Sequence, residues 1–362
     1  MTRRDRTVVA GRGNHGLEQR ILGVLRNPGI GLTKGPLVVG FSGGPDSLAL
    51  LVLLSHLRQI LGRDLMALHV DHNLRAGSRD EALAAGKLAR EFAVPLHVER
   101  LEPGLLARHP GVGTEEAARR ERYRAAAAFC GAVGGSFVTA HHADDQAETV
   151  LLHLLRGSGL GGMGGMRTVT SLPVPWWNPT TPVRTTVLTV VRPLLDTRRS
   201  ELERYLSDRR PDLTPVLDPT NLLDGYRRNA VRHALLPEVE RTFPAAVEAL
   251  NRFARIAAEE SDLLDVIAGS ALVAASDPSR RLSRLALAAQ PVAIARRVIR
   301  RWFDALRTGT ELSLERVEAV RELAASDKDR WSVEVGGGFS VRGDGDLLAV
   351  GPARPGGGPT NR

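Results

Sequence analysis

Short apolar runs alternate with longer stretches of helical periodicity through the first half of the chain. Residues 37–41 are rich in β-branched and aromatic side chains, which predicts a buried strand. The leucines between Leu48 and Leu57 then recur on all sides of a helix, as expected for one packed on a sheet. This alternation predicts an α/β fold with a doubly wound, mostly parallel sheet. The further predicted strands are 65–70, 96–101 and 136–140, and the further predicted helices are 79–92, 114–132 and 143–155.

The pattern changes after Arg156. Residues 157–166 are rich in glycine, and residues 170–183 contain four prolines, which predicts an exposed loop or a hairpin rather than a helix. The elements predicted beyond this point are a strand at 187–191, a helix at 198–207, helices between 238 and 325, and a hairpin of two strands at 330–350.

These shifts in pattern divide the chain into four predicted parts. The last of them is rich in glycine and proline, so we expect it to be disordered. The parts are an N-terminal extension at 1–35, an α/β domain at 36–242, a smaller, mainly helical domain with a terminal hairpin at 243–350, and a tail at 351–362.

A polar loop joins the first predicted strand to the helix that follows it. Its glycines let the backbone turn sharply, and the helix directs free N–H groups and its positive dipole end into the same space. A phosphate suits such a loop, although an ordinary capped strand–helix turn fits as well. The loop lacks the lysine of a Walker motif and the third glycine of a dinucleotide-binding fingerprint. It consists of Ser42, Gly43, Gly44, Pro45, Asp46 and Ser47.

A second polar cluster begins where the strand predicted at 136–140 ends. Asp145 and Glu148 are three residues apart, and Asp144 and Glu148 are four apart, so one helical face would carry them. Acids in a first turn often only complement the helix dipole. Three carboxylates beside a His-His pair nevertheless require a cation among them. Adjacent histidines on an extended segment point to opposite sides, which favours a substrate amine or Mg²⁺ bound with ATP over a metal held by both rings.

Composition narrows the classes of protein. A net charge of +8 and a pI of about 10.5 favour an anionic partner such as nucleic acid. No apolar stretch reaches the ~20 residues of a membrane span, and the basic residues 1–12 lack the apolar core of a secretion signal. Cys130 is the only cysteine, which excludes an intrachain disulfide and a cysteine-only metal site. A reducing cytoplasm is therefore the expected location.

Eight motifs follow one another along residues 36–240. As a set they resemble the tRNA(Ile)-lysidine synthase family, and the resemblance lies in the order and number of the motifs rather than in any one of them. It implies an N-type ATP pyrophosphatase domain, which is Rossmann-like, followed by a smaller helical domain. The motifs are SGGPDS, HVDHNLR, EEAARRERY, HHADDQAET, RGSGLGGMGGM, RPLL, DPTN and RRNAVRHALLP.

The resemblance implies a ligase that modifies RNA. ATP would adenylate the C2 oxygen of the wobble cytidine in an isoleucine tRNA with a CAU anticodon, with release of pyrophosphate. The ε-amine of free L-lysine would then displace AMP. ATP, Mg²⁺, lysine and tRNA(Ile) are thus the implied substrates and cofactor, and a homodimer is left open.

The same resemblance assigns one group of residues to ATP. The amides and hydroxyls of the pyrophosphate loop would hold the β and γ phosphates, and Asp46 would also act in catalysis and help to position Mg²⁺. His72, after the second strand, would contact the nucleotide base and ribose, with a capped loop as the alternative. The residues that match the pyrophosphate loop are Ser42, Gly43, Gly44, Asp46 and Ser47.

A second implied group lies around the lysine substrate and the reaction centre. It contains His141, Asp145 and Glu148. The two carboxylates would bind lysine as a cation, and one of them could accept a proton as the amine attacks.

Arginines form the third implied group. The family pattern Ala-Arg-x-x-Arg-Tyr falls on residues 118–123, which makes Arg122 a catalytic arginine that faces phosphate or a substrate carboxylate. Arg228, Asn229 and Arg232 match the pattern Arg-Asn-x-x-Arg, and the two arginines would either close over the adenylate or bind tRNA phosphate.

Two regions depart from the family pattern. Residues 170–189 are longer and richer in proline and tryptophan than expected, and Trp176 and Trp177 could stack on bases or pack a loop. Beyond residue 250 the match is loose, and one predicted helix carries a group of arginines that either follows phosphates or forms a solvated face. These are Arg296, Arg297, Arg300 and Arg301.

Three other functions compete with lysidine formation. A tRNA thiolase of the same superfamily needs paired cysteines, whereas this chain has only Cys130. An amide-forming ligase acting on a small metabolite would not need a basic second domain. A non-enzymatic RNA-binding protein would leave the phosphate loop and the acid cluster unexplained.

Overall fold

The computed structural model describes most of the chain. In this part, no helix is both long enough and apolar enough to cross a membrane. The first eleven residues, the DPTN motif at 218–221 and the tail from 354 lie outside the described residues. The described stretches are 12–74, 77–177, 186–216, 227–306 and 312–353.

The chain divides into two compact units. Met1–Pro175 and Arg184–Arg255 form the first, and Trp176–Val183 and Ile256–Arg362 form the second. Every residue expected to take part in chemistry belongs to the first unit. The domain limits drawn from the sequence stay predictions.

A six-stranded sheet is the framework of the first unit. The strand order is β3-β2-β1-β4-β6-β5, and every neighbouring pair is parallel except β5 with β6. This arrangement confirms the predicted α/β fold with a mostly parallel sheet. The strands are β1 (Leu37–Gly40), β2 (Leu65–Asp71), β3 (Leu96–Arg100), β4 (Ser136–Val138), β5 (Val169–Val174) and β6 (Thr186–Val191).

Helix α2 explains why leucines recur on all its sides. It packs against α1, α8 and β1, and every residue from Leu48 to Leu54 is at most 1% exposed. A π-helical segment, Val231–Leu235, separates α9 from α10. The helices of this unit are α1 (Arg12–Arg26), α2 (Pro45–Leu61), α3 (Ser78–Arg90), α4 (Leu105–Arg108), α5 (Thr114–Val133), α6 (Ala143–Leu155), α7 (Leu160–Met163), α8 (Arg199–Arg209), α9 (Arg227–Ala230) and α10 (Leu236–Thr242).

The parallel strands bring separate parts of the sequence to one edge of the sheet. Strand β1 lies between β2 and β4, so the chain reverses its direction of progress across the sheet at β1 and β4. Ligands of open α/β sheets bind at such a switch point, outside the carboxyl ends of the strands. The polar residues that follow these ends closely are Ser42, His72, His141 and Arg192.

The second unit pairs helices with a four-stranded antiparallel sheet of order β7-β10-β9-β8. Its core contains Trp302 and Phe303, each 1% exposed, and the Trp302 indole donates to the Arg280 carbonyl at 2.8 Å. Helix α11 contributes its residues up to Arg255 to the first unit. The elements are α11 (Ala246–Ala275), β7 (Leu282–Ser283), α12 (Arg284–Ala288), α13 (Val292–Ala305), α14 (Leu314–Ala324), β8 (Arg330–Gly336), β9 (Phe339–Asp344) and β10 (Leu347–Pro352).

The C-terminal strands differ from the predicted pair. Three strands are present because a second turn occurs at Gly345, which adopts a φ of +58° that glycine tolerates. Strand β10 continues to Pro352, beyond the start of the predicted tail. In the proline-rich segment, β5 pairs antiparallel with β6, as the hairpin alternative expected.

The arginines of α13 are largely paired within their own unit. Arg296 binds Glu318, and Arg297 donates to Asp265 at 2.8 Å. Arg301 lies 3.9 Å from the same aspartate. Three of the four arginines that the sequence suggested for phosphate binding therefore have acidic neighbours within the second unit.

Substituting Gly35 by alanine should destabilise the first unit. The added Cβ would lie 2.2 Å from the Gly134 carbonyl oxygen, a backbone atom that cannot move aside easily. We expect a loss of about 1–3 kcal/mol in the free energy of unfolding, measured as a lower urea midpoint.

Gly86→Ala in α3 is the matched control. Its added Cβ meets nothing closer than 3.7 Å, and alanine favours a helix over glycine by about 0.5–1 kcal/mol. Equal urea midpoints for the two variants would contradict this account of Gly35.

Candidate active site

The loop after β1 turns sharply at Gly43, whose φ is +82°. A Cβ at this position would lie 2.9 Å from Val216 Cγ2, and the Val216 amide donates to the Gly43 carbonyl at 2.9 Å. Helix α2 begins directly afterwards, with Gly44 as an N-cap that supplies no side-chain hydrogen bond. First-turn amides without a side-chain cap are available to an anion. The loop therefore has the shape of an anion cradle.

Two hydroxyl groups face each other across this loop. The oxygens of Ser42 and Ser47 are 3.2 Å apart, and the Ser47 hydroxyl also donates to the Gly44 carbonyl at 3.0 Å. The Gly44 amide in turn donates to the Ser42 oxygen at 3.3 Å. Both hydroxyls can rotate toward an incoming phosphate at the cost of weak bonds only.

Asp46 occupies the first turn of α2. Its Oδ2 lies 3.6 Å from His142 Nε2, and its Oδ1 lies 3.8 Å from Arg199 Nε. Oδ1 is buried and accepts no hydrogen bond from any described residue. Buried carboxylate oxygens normally have donors, so this one is suited to an incoming cation.

His142 is a buried imidazole enclosed by carboxylates. Its Nδ1 lies 3.5 Å from Asp144, and its Nε2 lies 3.5 Å from Asp145 and 3.6 Å from Asp46. Burial disfavours the charged ring, but the bonds to Asp144 and Asp46 and the charge of Asp145 outweigh it and raise the pKa of His142 to about 10. The 3.4 Å contact from the Asp145 amide to Nδ1 requires a neutral acceptor. The protonated ring cannot accept this bond, so Nδ1 donates to the Asp144 carboxylate instead.

Asp144 connects this centre to the rest of the first unit. It accepts the Arg199 amide at 2.8 Å and lies 3.1 Å from Arg198, which also binds Glu240 and Glu248. Burial raises the pKa of Asp144, but His142, the Arg199 amide and Arg198 lower it by more. The net pKa is below the usual value, so this carboxyl is ionised at neutral pH. Helices α6, α8, α10 and α11 are thereby joined through one group of charges.

Asp145 and Glu148 lie on one face of α6, as their spacing predicted. Both are paired with arginines of the segment that follows residue 226: Arg228 donates to Glu148 at 2.9 Å and to Asp145 at 3.3 Å, and Arg232 donates to Asp145 at 2.7 Å. Arg232 also makes two bonds to Glu148. The protein itself thus supplies the cations that the acid cluster required.

The backbone around Arg232 is unusual. Arg232 lies in the π-helical segment, whereas Arg228 lies in the preceding α9. Single π-helical turns are rare and frequently occur at functional sites. The two guanidinium groups reach the same pair of carboxylates from this irregular stretch.

His141 lies next to the acid pair in a neutral form. Its Nδ1 is 2.8 Å from the Thr139 hydroxyl. Burial lowers the pKa of His141 to about 3, with Asp145 opposing the shift and Arg192 and Arg228 adding to it. At neutral pH this imidazole therefore stays uncharged and resists protonation.

Arg122 is exposed to solvent on α5, although the surrounding protein still desolvates its guanidinium. That desolvation lowers its pKa, as do the neighbouring charges of Arg119 and Arg228. Burial lowers the pKa of His72 to about 4, and the charge of Arg122 adds to this shift. Arg122 also contributes to the lowered pKa of His141. The residues implied for nucleotide and for lysine therefore lie within electrostatic reach of one arginine.

His69, near the end of β2, and His72, directly after this strand, differ in their surroundings. His69 is buried, and its Nδ1 contacts the carbonyl oxygen of Phe41, the residue after β1, at 2.9 Å. His72 Nδ1 is buried and has no hydrogen-bond partner among the described residues. An unsatisfied ring nitrogen at this edge is available to a ligand.

Sequence reasoning missed three charged residues of the site. His142 was weighed only as a metal ligand, and Arg192 and Arg199 were given no role. Arg192 belongs to the RPLL motif and follows β6 directly, so its place at a strand end was the signal that could have identified it. The partners of Arg199 depend on tertiary contacts that no local pattern reveals.

The described residues contain no group of three or more His, Cys, Asp or Glu side chains arranged to hold a metal. The unsatisfied Asp46 Oδ1 is therefore the feature on which a cation bound together with a ligand would depend. Cys130 is buried, and burial raises the pKa of its thiol to about 12, so it does not supply a thiolate.

Two family models match the chain. The one described as a PP-loop domain matches residues 14–239, and the one described as the TilS substrate binding domain matches residues 282–348. The first covers the six-stranded sheet and the site residues from Ser42 to Arg232.

Several relatives carry the name tRNA(Ile)-lysidine synthase. That of Salinispora tropica is 35% identical over 323 residues, which cover 88% of this chain and 91% of the relative. That of Symbiobacterium thermophilum is 38% identical, covering 73% and 54%, and that of Caldanaerobacter subterraneus subsp. tengcongensis is 33% identical, covering 79% and 59%. The chain thus spans less than two thirds of the length of the last two relatives.

A solved structure shares the fold. The U34-tRNA thiolase NcsA from Methanococcus maripaludis, described with its [4Fe-4S] cluster, gives a TM-score of 0.53 at 15% identity, covering 68% of this chain and 78% of that one. At this identity the likeness concerns the fold alone. Together with the two family models and the relatives, the motifs place the chain in the tRNA(Ile)-lysidine synthase family.

Proposed function

We propose that the protein uses ATP to attach L-lysine to C2 of the wobble cytidine in a CAU-anticodon tRNA(Ile). Membership of the family supports this reaction. The observation that carries it is the connection of two parts of one site through His142, which lies 3.6 Å from Asp46 in the anion loop and 3.5 Å from Asp145 in the acid cluster. A phosphate site and an amine site then face the same switch point of the sheet.

In the first step the C2 oxygen of the cytidine attacks the α-phosphorus of ATP. The bond from this phosphorus to the bridging oxygen breaks, and pyrophosphate leaves. The open helix end after Gly44 and the hydroxyls of Ser42 and Ser47 would hold the β and γ phosphates. Gly43 permits the close approach, and His72 would contact the nucleotide.

Asp46 is the residue suited to Mg²⁺. Its Oδ1 is buried without a donor among the described residues, and oxygen ligands are those that Mg²⁺ prefers. Asp46 and the phosphates of ATP would hold the ion, which when bound neutralises phosphate charge.

In the second step the ε-amine of lysine attacks C2. A C–N bond forms, the bond from C2 to the adenylate oxygen breaks, and AMP leaves. Asp145 and Glu148 would bind lysine as a cation beside the neutral His141, and one of the two carboxylates could accept a proton as the amine attacks.

Arg228 and Arg232 bind these same carboxylates. A bound ammonium would compete with them for the same oxygens, and the released guanidinium groups could then bind the adenylate phosphate. Arg122, also exposed in this region, would contribute a further charge to an anionic group of a substrate.

The tRNA thiolase alternative needs paired cysteines, and the chain has one. Its single cysteine is buried, and the described residues form no metal-holding cluster. The proposed use of tRNA and ATP implies a cytoplasmic location, while a homodimer stays a prediction.

Replacing Asp46 by alanine or asparagine should abolish lysine incorporation into tRNA(Ile). We expect kcat to fall about 100-fold or more, because the developing phosphate charge would lose a preorganised partner. The assay follows labelled lysine and AMP release together in the presence of Mg²⁺, and chelation of Mg²⁺ should have the same effect on the wild-type protein.

Asp64→Asn is the matched control, since Asp64 is exposed at the opposite end of β2. An elongator methionine tRNA tests the choice of acceptor. Full activity of Asp46→Asn would overturn the role of Asp46, whereas AMP release without lysine transfer would leave the ATP site standing and refute the acceptor.

Replacing Glu148 by glutamine should weaken lysine binding. We expect KM for lysine to rise about tenfold or more, since a charge-assisted hydrogen bond contributes about 1.5–3 kcal/mol. Glu203→Gln, at an exposed position of α8, is the control. An increase in KM for ATP with an unchanged KM for lysine would refute this assignment.

A further inference from the structure

Two guanidinium groups contact the side chain of Tyr123, and a third lies on the adjacent residue. Arg119 lies over the ring, with Cζ 5.0 Å from its centroid, and Arg192 Nη2 lies 3.4 Å from the hydroxyl. Arg122 is the adjacent residue and acts on the same side chain, because both Arg119 and Arg122 lower the pKa of Tyr123 against the opposing effect of burial. Arg119, Arg122 and Arg192 are called the arginine group below.

Two members of this arginine group have no acidic partner among the described residues. Within the described stretches, neither Arg122 nor Arg192 makes an ion pair, and the carboxylate nearest to Arg119 is that of Glu116 at 3.9 Å. The contrast with Arg228 and Arg232 is direct, since each of those binds both Asp145 and Glu148.

Arg192 is the most constrained member. It is 4% exposed, its Nη1 donates to the Arg167 carbonyl and the Thr170 hydroxyl at 2.9 Å each, and its Nε has no hydrogen-bond partner. A buried charge without a counter-ion is costly, and leaving one of its donors unsatisfied adds to that cost. An anion that binds next to this group would offset part of it.

The arginine group and the acid pair act on the same imidazole. Asp145 raises the pKa of His141, whereas Arg192 and Arg122 lower it. His141 is therefore within electrostatic reach of both a group of positive charges and a group of negative charges. A free amino acid with an amine on its side chain carries both complementary charges at its two ends.

We propose that Arg119, Arg122 and Arg192 form an oxyanion subsite that binds the α-carboxylate of the amino acid substrate. Arg119 and Arg122 provide exposed donors, and Arg192 provides a fixed charge behind them. The phosphates of ATP already have the loop after β1. This inference rests on the proposed function and adds to it a subsite that selects an amino acid over a simple amine.

The test compares lysine with 1,5-diaminopentane, which has the same reactive amine but no carboxylate. Transfer of each compound to tRNA(Ile) is measured, and selectivity is the ratio of the two kcat/KM values. In the wild-type protein lysine should be preferred. Arg122→Gln should lower this selectivity about tenfold or more, mainly through KM for lysine, because a charge-assisted contact to the carboxylate is lost.

Arg192→Gln should also lower the selectivity, and Arg192→Lys should recover part of it because the charge is retained. Since Arg192 is buried and its variants could unfold, Arg119→Gln and Tyr123→Phe test the same subsite from exposed and conservative positions. Arg120→Gln is the matched control on α5, where Arg120 pairs with Glu116 at 3.0 Å, and it should leave the selectivity unchanged.

Three outcomes separate the possibilities. Equal losses of kcat/KM for lysine and for the diamine in Arg122→Gln would overturn the carboxylate subsite. A rise in KM for ATP at constant selectivity would reassign the arginine group to a nucleotide phosphate. If the wild-type protein transfers neither compound, calorimetric titration with lysine and with the diamine still tests the subsite, while the proposed function itself has failed.

Discussion

The contacts of one buried cation hold the site together. His142 lies within 3.6 Å of Asp46, Asp144 and Asp145, which come from the first turn of α2 and the first turn of α6. Without a cation, three carboxylates at these distances would repel one another in a region of low dielectric. With it, the two helix ends on either side of the switch point are fixed in relation to each other. The anion loop and the acid cluster depend on this geometry.

Charge balance extends outward from that centre. Asp144 binds Arg198, and through it Glu240 and Glu248, so the start of α11 belongs to the same network. Asp145 is shared between His142 and the arginines that follow residue 226. Acids and cations are therefore matched through most of the site, and the arginine group around Tyr123 stands out because Arg122 and Arg192 make no ion pair with any described residue.

Much of the first unit could be predicted because its signals are local. The strand at 37–41, the helix at 143–155 and the glycine turn between β1 and α2 follow from periodicity and backbone freedom. The ion pairs could not, because they join distant residues: Glu148 and Arg232 are 84 positions apart. Sequence reasoning required a cation among the acids and assigned it to a substrate amine or to Mg²⁺ bound with ATP, whereas the fold places arginines of its own there. The second turn, at Gly345, was missed because two glycine-containing turns follow one another closely.

The bond between the Val216 amide and the Gly43 carbonyl has a consequence for synthesis. Residue 43 leaves the ribosome early, but the backbone that supports its turn is translated much later. Strands β1 and β2 can pair and α2 can pack while the chain is still growing. The anion loop, however, acquires its final support only after residue 216 has emerged. Nascent chains shorter than this would contain the complete SGGPDS sequence without its finished cradle.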